Sequence, residues 1–403
     1  MLTRREFLKA SGALALSAEL PRNHRLALDT DFNAAADGAT DDSKALTNAL
    51  ASGHPLTGNG RRYAVSGDFT LPDNADIERL TLRQLSPDDA SRRTLVKLSG
   101  RGPLRLRRVK IEKNGATSNG SIGDAAGIWI ANVDDVTLED LEVTGNSKGS
   151  GIMLTGCNRI KVLRPYIHDM RWSDRSDPSS ERLVGLWMNA CTEWAIEEPM
   201  IRNLDSVIGS HAPRPYQTDG IAVSGSSVWR IAGGAIKNCG EGIDVSGSEG
   251  NSRFCIIGTQ AIDIDSYGFK LANSASRGVV IGTTALDCGF VGHVVSGASE
   301  VGLPKCEDIT FIRCKSISVG SNGRWAAHNT AGFAVLRGAF DTAWPQGIEF
   351  VECDAIDEQR RPTMKYGFCL EADNSAMGRP NRMLNCRSRG HTIAKTLGEI
   401  RDR

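Results

Sequence analysis

A short pattern, glycine followed by apolar-x-apolar, returns nine times along this chain. It reads Gly127-Ile-Trp-Ile, Gly151-Ile-Met-Leu, Gly185-Leu-Trp-Met, Gly220-Ile-Ala-Val, Gly242-Ile-Asp-Val, Gly268-Phe-Lys-Leu, Gly292-His-Val-Val, Gly332-Phe-Ala-Val and Gly367-Phe-Cys-Leu. Successive glycines are 24, 34, 35, 22, 26, 24, 40 and 35 residues apart. The short periods give the unit, and the long ones are the same unit with a loop inserted. A second strand signal follows each glycine, as in Val136-Thr-Leu, Ile160-Lys-Val, Trp194-Ala-Ile, Trp229-Arg-Ile, Val279-Val-Ile, Ile309-Thr-Phe and Ile348-Glu-Phe. A third comes a few residues later, as in Leu141-Glu-Val, Tyr166-Ile, Met200-Ile and Ala235-Ile. Strands this short, with no amphipathic helix per unit and few hairpin turns, exclude a βαβ sheet and a sandwich. They predict an all-β fold: a single-stranded parallel β-helix in which each unit is one rung stacked on the next.

The rest of the chain fits around this solenoid. Met1 to about residue 25 carries Arg4-Arg5, then Phe7-Leu8-Lys9 and the small apolar run Ala10 to Ala18, which resembles a twin-arginine export signal. Residues 26–100 read as a cap with the first strands, and residues 101–403 as the rungs. Ala45, Leu46, Ala49 and Leu50 make an apolar helical stripe behind a start at Thr40 or Asp41, suited to covering the open end of the solenoid.

Composition narrows the function. Lys+Arg 48 against Asp+Glu 48 leaves no basic field to draw nucleic acid. No apolar run is long enough to span a membrane. The ten cysteines lack metal-ligand spacing and are expected as buried thiols, since twin-arginine substrates fold in a reducing compartment. His168, His211, His293 and His328 are scattered and are expected to be structural or solvated.

Two outward columns can be read from the repeat. The residue before each glycine runs Ala126, Ser150, Val184, Asp219, Glu241, Tyr267, Val291, Ala331, Tyr366. The residue two after it runs Trp129, Met153, Trp187, Ala222, Asp244, Lys270, Val294, Ala334, Cys369. Asp219, Glu241, Asp244, Tyr267 and Lys270 therefore cluster in three adjacent rungs, and they are the candidate catalytic residues. Insertions at 169–183, 204–218 and 318–330 are expected to build a wall beside them. Trp129 and Trp187 on the face, with Arg171, Trp172, Arg214 and Tyr216 from the first two insertions, are the candidate substrate-binding residues.

The segment Asp31-Phe32-Asn33-Ala34, then Asp37-Gly38-Ala39-Thr40-Asp41-Asp42 and Gly60-Arg61-Arg62-Tyr63-Ala64-Val65, resembles the opening of the pectate-lyase-like, polygalacturonase-like superfamily. That resemblance implies a right-handed parallel β-helix acting on polysaccharide as a monomer or homotrimer, and the twin-arginine segment leads us to expect it in the periplasm or secreted. Gln217-Thr218-Asp219-Gly220-Ile221 is similar to the Asn-Thr-Asp-Gly-Ile motif of polygalacturonases, and Cys239-Gly240-Glu241-Gly242-Ile243 stands where Gly-Asp-Asp-Cys-Ile is expected. Gly240 replaces the general acid and Tyr267 replaces a histidine, which argues against a polygalacturonase proper. Asp219 with Glu241 can still serve as a carboxylate pair for glycoside hydrolysis. The alternatives are elimination or epimerisation of a uronate, with Lys270 or Arg214 as base and Tyr267 as acid, or a non-catalytic glycan-binding β-helix. Hydrolysis needs no cofactor, whereas a lyase can use Ca²⁺ held by Asp219, Glu241 and Asp244.

Overall fold

The structure, a computed structural model, describes residues 25–85, 94–100, 102–114, 126–146, 149–172, 182–206, 217–247, 250–297, 305–321, 327–337, 344–371, 379–397 and 401–402. Its strands pair in parallel throughout and stack into the flat faces of a parallel β-helix. Twelve strands of the described residues form one face, running from Phe69–Thr70 through Arg182–Asn189, Gln217–Ser224, Glu241–Val245 and Tyr267–Leu271 to Ala394–Leu397. The other two faces are joined at the amino end by one long strand, Leu104–Asn114. Its first half pairs with Asp134–Glu139 and its second half with Glu142–Asn146. The ladder extends upstream of the glycine repeat: Val96 pairs with Ile128, and Phe69 with Val96.

Register explains why these residues make these strands. On the twelve-stranded face Ile128, Ile152, Leu186, Ile221, Ile243, Phe269, His293, Phe333 and Phe368 are successive partners and all point into the core. A slip of one residue would turn every one of them outward, so the interior fixes the register. Rings stack rung upon rung: Phe269, His293, Phe333 and Phe368 have centroid spacings of 4.7, 4.9 and 5.1 Å. Trp194, Trp229 and Phe254 do the same on the second face, at 4.8 and 4.7 Å. Offset stacks of this kind add roughly 0.5–1.5 kcal/mol per pair beyond burial.

The second face corrects one strand reading. Phe254 continues the inward ladder, and its partner on the next rung is Gly278, with Val279 turned outward. A Cβ at Gly278 would lie 2.0 Å from the Phe254 ring, so that ring fills the space and this position of the rung has no inward side chain of its own, while Val280 two residues on is buried in the core.

The repeat glycines are needed for close approach. A Cβ on Gly242 would fall 2.3 Å from the Gly268 carbonyl oxygen and 3.0 Å from Ala261 Cβ. The same clash recurs from Gly127 to Gly332, each against the carbonyl oxygen of the next rung's glycine. All ten cysteines are buried with free thiols. Cys353 and Cys386 donate to carbonyls one rung back, Phe311 O at 3.6 Å and Phe350 O at 3.3 Å. Surface ion pairs such as Arg159 with Asp135 and Arg387 with Asp354 also link neighbouring rungs.

The amino-terminal helix spans Ser43–Ala51 and buries Leu46, Ala49 and Leu50 in the same core, as a cap should. Its N-cap position is Asp42, one residue later than expected. Asp42 turns its carboxylate back to the Ala35 and Ala36 N–H groups, while Asp41 accepts from the Ser43 N–H at 2.9 Å.

Two insertions prove shorter than the sequence indicates. Strands Tyr166–Trp172 and Met200–Ser206 run into one end of each, and Arg182–Asn189 and Gln217–Ser224 into the other. Met170, Leu183 and Leu204 continue the inward pattern beyond the expected loop borders, which keeps those residues in the ladder. Residues 1–24, Arg214 and Tyr216 lie outside the described residues.

Candidate active site

The columns predicted from the repeat exist as hydrogen-bonded ladders on the outer side of the twelve-stranded face. Val184 pairs with Asp219 and Asp219 with Glu241; Ala222 pairs with Asp244 and Asp244 with Lys270. Tyr267, three residues before Lys270, continues the first ladder into Val291. Adjacent parallel strands stand about 4.8 Å apart, so the five candidate catalytic residues occupy three consecutive rungs. Local bonds hold them in place. The Gly240 N–H donates to Thr218 Oγ1 at 2.8 Å, tying the Asp219 rung to the Glu241 rung. Ser246 Oγ donates to Asp244 Oδ2 at 3.0 Å.

These side chains point outward yet are shielded from water. Asp219, Glu241 and Asp244 are each no more than 4% exposed. One oxygen from each lies within 4.8 Å of the other two. Lys270 reaches diagonally back one rung, so that its Nζ lies 3.0 Å from Glu241 Oε2, 3.3 Å from Glu241 Oε1 and 3.5 Å from Asp244 Oδ2. This is not an exposed surface pair worth little: both carboxylates are buried, and the ammonium lies nearer to Glu241 than to Asp244. Lys270 Nζ also stands 5.7 Å from the centre of the Tyr267 ring.

The electrostatics follow from this packing. Burial drives the Glu241 carboxyl up to about 7; Lys270 pulls it down and Asp244 adds to the rise. Burial also pushes the Tyr267 phenol up to about 12, with Glu241 adding to it. For Lys270, burial alone favours the neutral amine, but Asp244, Glu241 and Asp219 together outweigh it and hold the ammonium above the usual lysine range. At neutral pH the site therefore has a carboxyl poised to give up a proton, a protonated phenol and a fixed cation.

The donor set raises the question of calcium. Three carboxylates in reach of one another suit a hard divalent cation, which takes oxygen ligands at about 2.3–2.6 Å. An ion bound by Glu241 and Asp244 at that range would take the place of the Lys270 ammonium. The carboxylates fit calcium and the lysine does not.

The remaining candidates divide. Trp129, Met153 and Trp187 are direct partners on successive rungs, forming a ladder on the amino-terminal side of the carboxylates. Both tryptophans are half-buried, and Trp187 Nε1 is buried with no hydrogen-bond partner among the described residues. Arg171 stands exposed on a strand of the third face, with Trp172 ending the same strand. His328 packs edge-on against Phe290, whose ring lies 5.3 Å from that of Tyr267. His293 is buried between Thr283 Oγ1 at 2.9 Å and Ser316 Oγ at 2.8 Å, and burial holds it down to about 3. Thr218 and Ser246 escaped sequence reading; the only signal was a hydroxyl one residue before Asp219 and another two after Asp244.

No family model matches the chain, and no relative is found among curated proteins. The fold has counterparts among solved structures. The A-module of mannuronan C-5 epimerase AlgE6 of Azotobacter vinelandii superposes with a TM-score of 0.64 at 14% identity, covering 93% of this chain and 99% of that one. PfbA, a surface adhesin of Streptococcus pneumoniae, gives 0.55 at 13% identity over 91% of both chains. The enzymatically active domain of tailspike protein 2 of bacteriophage CBA120 gives 0.53 at 12% identity, over 90% of this chain and 47% of that one. At these identities the likeness is one of fold.

Proposed function

We propose that this chain is an enzyme of the cell envelope or exterior that hydrolyses a glycosidic bond in a polysaccharide. The observation that carries the reading is Glu241: an outward carboxyl beside Asp219, kept protonated to about neutral pH by burial. Glu241 donates its proton to the leaving glycosidic oxygen while Asp219 attacks the anomeric carbon. The ionised Glu241 then takes a proton from water, and that water releases the sugar from Asp219. With Asp219 as the nucleophile, two successive displacements at the anomeric carbon give net retention. The Trp129–Met153–Trp187 ladder offers apolar faces to sugar rings. The described neighbours include an epimerase of mannuronan and a tailspike with an enzymatically active domain, which supports a glycan as the substrate class.

Elimination from a uronate with Lys270 as its base is disfavoured by the same geometry. It needs a cation free for the substrate carboxylate and an unprotonated base, but Lys270 is engaged by Glu241 and Asp244 and held as ammonium. The test is a panel of neutral and acidic polysaccharides followed by reducing ends and by ultraviolet absorbance of unsaturated uronate. Reducing ends without absorbance uphold hydrolysis. Absorbance recasts the chain as a lyase, and full activity in the Asp219→Asn, Glu241→Gln double variant refutes the assigned pair.

A further inference from the structure

We infer that Lys270 is the built-in cation of this site: its ammonium sits where a divalent ion would bind the carboxylates, and it makes the site independent of metal. This deepens the hydrolytic reading, and its test does not rely on activity.

Three side chains on two rungs would crowd negative charge into a space with little exposure to water. Asp219, Glu241 and Asp244 carry a formal charge of −3 when ionised, with their oxygens within 4.8 Å of one another. Buried charge of that density demands a counter-charge, a proton or an ion. The fold provides the first two of these. Lys270 Nζ contacts Glu241 at 3.0 Å and Asp244 at 3.5 Å, and its stem rises from the strand directly paired with the one bearing Asp244. The Tyr267 ring closes its other side at 5.7 Å. Asp244 Oδ1 remains buried with no hydrogen-bond partner among the described residues, so the charge it carries is answered by the ammonium across the cluster.

A tethered cation behaves differently from a bound one. It cannot be chelated, its position is set by the backbone register, and it takes no oxygen of the substrate into its own shell. Its task is positional: it stands between the Glu241 and Asp244 carboxylates and holds both on one fixed point.

Calcium titration of the full chain, by calorimetry and by thermal melts with and without calcium chloride, tests this. The native chain and Lys270→Arg are expected to show no calcium-dependent rise in melting temperature. Lys270→Met, which keeps the apolar stem, is expected to bind one calcium per chain at least tenfold more tightly than the native chain. Adding Asp244→Asn to that variant should abolish the binding. If the native chain binds one calcium that Asp244→Asn removes, with an affinity within tenfold of Lys270→Met, the inference fails. It fails equally if Lys270→Met folds and binds none. Should Lys270→Met fold only with calcium present, the inference stands; should it fold under neither condition, the native titration decides. A native chain that binds calcium leaves the hydrolytic reading standing, and absence of hydrolysis on every glycan leaves the cation assignment standing.

Discussion

Two halves of one sheet face make the most instructive contrast in this molecule. Rungs 219–222, 241–244 and 267–270 share their backbone, register and glycine spacing with rungs 291–294, 331–334 and 366–369. In the first half the outward positions hold three carboxylates, a lysine and a tyrosine. In the second they hold Val291, Val294, Ala331, Ala334, Tyr366 and Cys369, which form a small apolar cluster of their own, shielded from water. The inward positions are apolar in both halves, save His293 in the second. The scaffold is thus held by its interior, and the outer face is free to be a site in one place and a seal in another. The titrating groups are also reversed. The first half places Glu241 outside the barrel with its proton held too tightly; the second places His293 inside with its proton held too loosely.

The sharpest way to break the contrast is in activity. Glu241→Gln and Asp219→Asn should each lower kcat by about 10²–10⁴-fold with no fall in melting temperature, measured on the first polysaccharide that gives turnover. No comparable loss should follow Val291→Ala or Ala331→Ser. The next effect is on stability: Ala334→Asp puts an unpaired charge into the sealed half and should cost about 3–5 kcal/mol in a urea melt at pH 8. A cost below 1 kcal/mol would mean that the second half is as able to carry charge as the first.

The two titrating groups give pH slopes of opposite sign. Folded Glu241 keeps its proton to about 7 whereas the unfolded chain loses it near 4.5, so its contribution to stability falls as pH rises through that window. Glu241→Gln should therefore melt above the native chain at pH 8 and level with it at pH 4.5. Folded His293 refuses a proton until about 3 whereas the unfolded chain takes one near 6.5, so its contribution falls as pH drops through that range. Each slope is at most about 1.4 kcal/mol per pH unit. His293→Phe should flatten the acid limb alone, and paired melts from pH 3 to 8 would read both. The smallest effect is Trp187→Ala, expected to raise KM by up to roughly tenfold with kcat and melting temperature unchanged.

Much of this was legible in the sequence because parallel stacking makes a chain position into a place. The interval between glycines carried Asp219, Glu241 and Asp244 onto neighbouring rungs with no other information. What escaped lay off the columns. Lys270 shares a column with Asp244, but its contact with Glu241 runs diagonally, and a diagonal depends on side-chain torsions that spacing does not encode. The Phe254 rung was missed because its successor inward is a glycine, which breaks an apolar pattern while the ring preserves the packing. The insertion borders were misplaced for the opposite reason: polar residues at Asp169, Arg171 and Asp205 hide an inward pattern that Met170 and Leu204 continue. Shielding of the carboxylates from water could not be read at all, since it arises from contacts between segments far apart in sequence.

The glycine that lets each rung settle onto the next also turns the face into a ruler with fixed gradations. Two rungs separate Trp187 from Asp244, through Ala222, and no sliding of strands can alter that by a fraction, because the interior would lose its register. On the proposed function, a glycan lying along the face would be measured in the same gradations. Change in such a protein then comes as duplication or loss of a whole rung, moving a platform relative to the acid by about 4.8 Å at a stroke. Substrate length preference would evolve here by counting, not by drift.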